Sequence, residues 1–192
     1  MHKMESTGFK EWAIVCQALG RGEQSVILRK GGIAEGREGF SFRHKEFFLF
    51  PTYFHEQVEK VRKIEIEIPA QATDTIEINF FAKIELSCVI KSWKIAQALE
   101  PFHILRPEVV RERFDYDRAP GLHIAFVRGF RIEPSWIFPN AKSYGGCRSW
   151  VKLPEPPPAL RFEPVLGDRE HERRRKMLVD LVGSEQSATA KL

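Results

Sequence analysis

"PGLHIAFVRGFRIE", residues 120–133, is the stretch whose reading decides the fold. After the Pro120–Gly121 turn, branched and aromatic residues run without a helix period, as in a long, largely buried β-strand. Arg128 and Arg131 fall on opposite faces of a regular strand, so both line one groove only if Gly129 forms a bulge. A strand of this length needs partners. The chain offers them in "SVILRKGG" (25–32), "FSFRHKEFFLF" (40–50), the alternating "KIEIEIP" (63–69) and "TDTIEINFFAKIELSCVIKS" (73–92), which reads as one or two strands.

Helices are read between the strands. "FKEWAIVCQALG" (9–20) reads as a helix ending at Gly20, with Trp12, Val15, Cys16 and Leu19 on one stripe. "SWKIAQALEPF" has Ser92 as its cap and "RPEVVRERFDY" has Pro107 in its first turn. Pro51 is expected to end the strand before it, with Thr52 capping a short helix over "YFHEQVEKV". "YGGCRSWVKL" reads as a turn feeding a last strand. Strands in both halves without regular βαβ alternation predict an α+β domain with a curved mixed or antiparallel sheet and flanking helices.

The organisation expected is a flexible N-terminus over 1–8, a globular domain over 9–153, a proline-rich linker over 154–167 and a charged helical tail over 168–192. On this reading residues 155–192 are removable without loss of the fold. The 192 residues are 43% hydrophobic and 29% charged, an ordinary globular balance that needs no staple to fold. Cys16, Cys88 and Cys147 are odd in number and far apart, which points to a reducing, cytoplasmic setting rather than a disulfide framework. No apolar run approaches a membrane span. The net charge of +4 and isoelectric point near 9 are compatible with RNA, DNA or a phosphate-bearing small molecule as partner.

Four motifs carry possible chemistry. Arg29 and Lys30 beside the Gly31–Gly32 pair suit an anion, since glycines expose backbone N–H groups; the plainer reading is a tight turn with two solvated cations. It is not a nucleotide P-loop, because G-x-x-x-x-G-K-[ST] is absent. His44 and Glu46 share a strand face and could act as base and orienter, or Glu46 could simply pair on the surface. Thr52 and His55 open a helix, where free N–H groups favour an anion; otherwise they are a cap and a loop histidine. Cys147 follows a glycine pair; a nucleophile there needs a histidine within reach, and the residue reads better as a buried structural thiol. His44-x-Glu46 lacks the P-C-x-x-C of zinc deaminases, and no metal or cofactor is called for.

The blocks "EWAIVCQALGRGEQSVILRKGGI", "FFLFPTYFHEQ", "LHIAFVRGFRI" and "YGGCRSWVKL" resemble a bacterial family, Domain of Unknown Function 1802, over roughly residues 9–153. The family's pattern has glutamine directly after the histidine, whereas Glu56 here separates His55 from Gln57. The resemblance implies a coherent domain and brings no activity with it. The helix, basic strand end and β-rich body also look like the small barrels of PUA-like RNA-binding modules. The leading expectation is a binding domain for nucleic acid or another phosphate-bearing ligand, using Arg29, Lys30, Gly31, Gly32, Thr52 and His55, with His44 beside them. The alternatives are a hydrolase or nuclease using His44, Glu46 and His55, and a structural or partner-binding protein.

Overall fold

The computed structural model describes residues 6–30, 40–62, 74–116 and 120–189. Gly31, Gly32, the loop read over 33–39 and the alternating strand read over 63–69 lie outside the described residues. The elements in chain order are β1 (Thr7–Trp12), α1 (Ala13–Gly20), β2 (Val26–Arg29), β3 (Glu46–Thr52), β4 (Thr75–Ile90), α2 (Trp93–Ala98), α3 (Pro107–Phe114), β5 (Leu122–Pro139), β6 (Trp150–Lys152), β7 (Arg161–Pro164) and α4 (Asp168–Thr189). The fold is α+β. Six strands lie in the order β2-β5-β4-β3-β1-β6, and β7 joins β5 on the edge that β2 leaves open further along. Every ladder is antiparallel except β1 with β3.

The sheet carries apolar residues on both faces, and β3 shows why. Phe47 and Leu49 enter the core under the helices, while Phe48 and Phe50 enter a second cluster with Ile78, Phe81, Trp136 and Phe138. An unbroken run such as FFLF is what a strand buried on both sides requires. The second cluster also joins Val151 of β6 to Phe162 of β7, near opposite ends of the strand order. The sheet therefore curls, and its concave face closes around these side chains. The curl has visible causes in β4 and β5: the register slips opposite Glu85, and again beyond Arg131. The ladder is regular through Gly129, so no bulge there brings Arg128 and Arg131 together, and they stay on opposite faces.

Several local expectations are corrected. Phe9–Trp12 belong to a strand, not a helix, because β3 and β6 pair with β1 on its two sides; tertiary pairing overrides local preference. Thr7 and Gly8 are part of the same strand rather than a flexible end. The helix starts at Ala13, and Gln57 supplies its missing cap: Oε1 accepts the Ile14 N–H at 3.1 Å. It ends as read, at Gly20, where a Cβ would sit 2.1 Å from the Phe80 ring. β3 runs through Pro51 to Thr52. Its ladder to β4 stops at Phe48, so one edge is already unpaired where the proline falls. Thr52 therefore caps nothing; a 3-10 turn over His55–Val58 begins after Phe54. α2 has Ser92 as its cap, accepting from Ile95 N–H, and α3 has Pro107 at its start, both as read.

The C-terminal segment is integral. The stretch expected as a linker contains β7, and Phe162 packs against Phe81 at 5.1 Å. α4 buries His171 and Leu178 against the body. Arg174 donates to Gly22 O at 2.6 Å and Ser25 Oγ at 3.0 Å, and Arg128 pairs with Asp168. Among the described residues no helix is long and apolar enough to cross a membrane.

Candidate ligand cleft

Thr52, one of the candidates read in the sequence, lines an open cleft of about 560 Å3 together with its neighbours Pro51 and Tyr53. Phe50 and Ile76 lie at its base, and Asp74, Thr75 and Glu77 line it from the start of β4. Ile137 of β5, the ladder partner of Glu77, and the loop from Asn140 to Gly145 complete the lining. Two tyrosines reach the cleft from different elements. Tyr53 follows β3, and Tyr144 packs against Phe50 at 5.5 Å and Phe138 at 5.8 Å. Ile137 is 60% exposed at the rim, a large apolar side chain open to solvent. Burial raises the Tyr53 hydroxyl, and Cys16 and Glu77 add to the shift. The cleft thus joins aromatic surface, two carboxylates, an amide and one ammonium, that of Lys142.

Behind the wall lies a buried charged layer on β1. Lys10 is 7% exposed; Nζ donates to Gly145 O at 3.2 Å and Gly146 O at 3.0 Å. Burial lowers its pKa, and Cys147 works the other way. Arg29 donates through Nη2 to the Lys10 carbonyl and stacks over Phe9 at 4.8 Å, while its Nε is buried with no hydrogen-bond partner. Thr52 Oγ1 donates to the next carbonyl, that of Glu11, at 3.0 Å. Arg113 donates to Leu28 O at 2.7 Å and lies over Trp12; burial brings its pKa down to about 10, against the pull of Glu11. Burial likewise pushes the Cys16 thiol well up, with Glu11 reinforcing it.

The expected site residues are therefore placed unevenly. Arg29 and Thr52 converge on consecutive carbonyls of β1, and both are engaged in holding strands together. Lys30 is half-exposed just beyond β2. His55 is exposed, two residues past Tyr53. His44 packs edge-on against Trp150 at 4.9 Å before β3 begins. Glu46 pairs with Lys83 of β4 at 2.9 Å. Seven residues of β3, at about 3.3 Å each, put His44 and His55 roughly 20 Å apart. Cys147 is exposed rather than buried, and lies on the loop that Lys10 holds. Among the described residues no group of three His, Cys, Asp or Glu side chains is placed to hold a metal ion.

The chain belongs to the family described as Domain of unknown function (DUF1802), whose pattern matches residues 8–177. That span takes in β7 and the first half of α4. Among solved structures, a ZmASCH mutant protein from Zymomonas mobilis aligns with 92% of this chain and 99% of its own, at 12% identity and a TM-score of 0.47. No curated protein sequence matches the chain.

Proposed function

We propose that this domain binds single-stranded nucleic acid and seats one unstacked base in the cleft between Tyr53 and Tyr144. The observation that carries the reading is the composition of the cleft: two tyrosines, an apolar base at Phe50 and Ile76, and polar groups that can meet the edge of a ring, namely Asn140, Asp74 and Glu77. Splayed bases are recognised by aromatic stacking together with hydrogen bonds to their edges. Lys142 at the rim and the overall charge of +4 suit the phosphates that flank such a base. In this reading Thr52 belongs to the wall, His55 meets the next nucleotide, and Lys30, with Gly31 and Gly32 after it in sequence, contacts a phosphate further along the same nucleic-acid strand. Arg29 acts from behind, through β1. The hydrolase reading finds no support in the separation of His44, Glu46 and His55.

The test is fluorescence anisotropy with labelled eight-nucleotide RNA and DNA at two salt concentrations. Binding is expected to weaken with salt. Tyr53→Ala and Tyr144→Ala are each expected to lower affinity about 5- to 150-fold, the range of a lost base stack. Absence of saturable binding at low salt, or variants that bind like the unmodified protein, would overturn the proposal.

A further inference from the structure

We propose that Lys10 is the positioning residue of the cleft: its buried ammonium pins the Gly145–Gly146 pair and so fixes the part of the lining that ends at Gly145. The inference rests on the binding reading above and goes beyond it by naming a residue that touches no ligand. In the parallel β1–β3 ladder Lys10 lies opposite Phe50, which lines the cleft, so its side chain shares that face. Its Nζ reaches two successive carbonyls, Gly145 O at 3.2 Å and Gly146 O at 3.0 Å. Its backbone secures the same loop, since Lys10 N–H donates to Ser149 O at 2.8 Å. Its carbonyl in turn accepts from Arg29. A chain of hydrogen bonds thus runs from the end of β2, through one residue of β1, to the cleft wall.

The choice of lysine is physically costly. An ammonium taken from water and met by carbonyl dipoles loses more solvation than these return. The lowered pKa of Lys10, driven first by burial, is the sign of that deficit. An apolar side chain of the same length would be more comfortable on the inner face of this sheet. What the ammonium supplies instead is direction: two donors aimed at two adjacent carbonyls leave the glycine pair one arrangement. Gly146, at φ +80°, has a conformation that needs such a hold, because glycine alone constrains it weakly.

The experiment compares the full chain with Lys10→Met and Lys10→Arg. Three readouts are taken: thermal melting, amide hydrogen exchange over residues 144–149, and anisotropy with the labelled eight-nucleotide RNA. Lys10→Met is expected to leave the melting temperature unchanged or raise it, while exchange over 144–149 rises at least tenfold and RNA affinity falls about tenfold. Lys10→Arg, which keeps donors on a long stem, is expected to recover part of both. A merely structural lysine would lower the melting temperature and speed exchange throughout the body. Unchanged exchange over 144–149 in Lys10→Met overturns the inference, whatever the RNA result. Faster loop exchange with no RNA binding by any form, the unmodified protein included, leaves Lys10 positioning the loop and removes the nucleic-acid reading instead.

Discussion

His171 Nε2 lies 3.0 Å from Glu85 Oε2, joining the C-terminal helix to the residue that bulges from β4. Arg175 approaches the same carboxylate at 3.7 Å. The extra residue in β4 turns the Glu85 side chain toward α4, a use of bulges seen where a side chain must be re-aimed. His171 is buried and its ring stacks beside Phe126 at 5.0 Å.

The tail should therefore not be removable. Truncation after Pro154 takes away β7, the Phe162 contacts and the whole of α4. It is expected to abolish cooperative melting or soluble expression. The milder Leu178→Ala, at a fully buried position, is expected to cost about 2–5 kcal/mol in urea unfolding. A truncated chain with an unchanged melting temperature would show that α4 only rests on the surface.

Gln57 offers a second test. Its side chain accepts from Ile14 N–H at the start of α1 and donates to Phe54 O at 3.1 Å. Gln57→Ala should orphan the Ile14 N–H, while Phe54 O keeps the backbone N–H of residue 57 at 3.4 Å, and cost about 1–3 kcal/mol. Glu56→Ala, exposed beside it, should cost almost nothing. Chemical denaturation of the pair decides the matter; equal effects would mean that the helix start is held by something else.

His103 sets an acid limit. It is buried, its Nδ1 accepts Leu105 N–H at 3.1 Å, and its carbonyl accepts from Arg62. Burial, with the Arg62 and Arg113 guanidiniums nearby, lowers its pKa to about 3. In the unfolded chain the imidazole protonates near its ordinary 6.5. Between those values the unfolded chain binds the extra proton, so stability is complete above about 6.5 and falls as the pH drops toward 3. The loss across the window is on the order of 4 kcal/mol. His103→Asn, whose amide oxygen can still accept from Leu105 N–H, is expected to flatten the profile. A wild-type stability that stays level from pH 7 to pH 4 would contradict this account.

These elements were not equally legible in the sequence. β5, α2 and α3 could be read because their signals are local: a long branched and aromatic run, a serine cap, a proline at a first turn. β1 could not, because Phe9–Trp12 owe their strand geometry to β3 and β6, which come dozens of residues later. β7 was hidden in a proline-rich stretch, where only the alternation around Phe162 hinted at pairing. The same split holds for the cleft. Of its Pro51–Tyr53 wall only Thr52 was a candidate, and His55, read together with it, is not among the lining residues. Its other parts, Asp74–Glu77 and Asn140–Gly145, are ordinary turn and strand-end residues that only the curl of the sheet brings together. Lys10 looked like any surface lysine, and its burial follows from β1 being paired on both sides.

The most direct test of the central claim is hydrogen exchange of the full chain with and without a saturating single-stranded eight-nucleotide RNA at low salt. The account predicts protection over residues 50–53, 74–77 and 140–145, the three segments that line the cleft. Protection confined to the far end of β3, around Arg43–Glu46 and Trp150, or none at all, would contradict it.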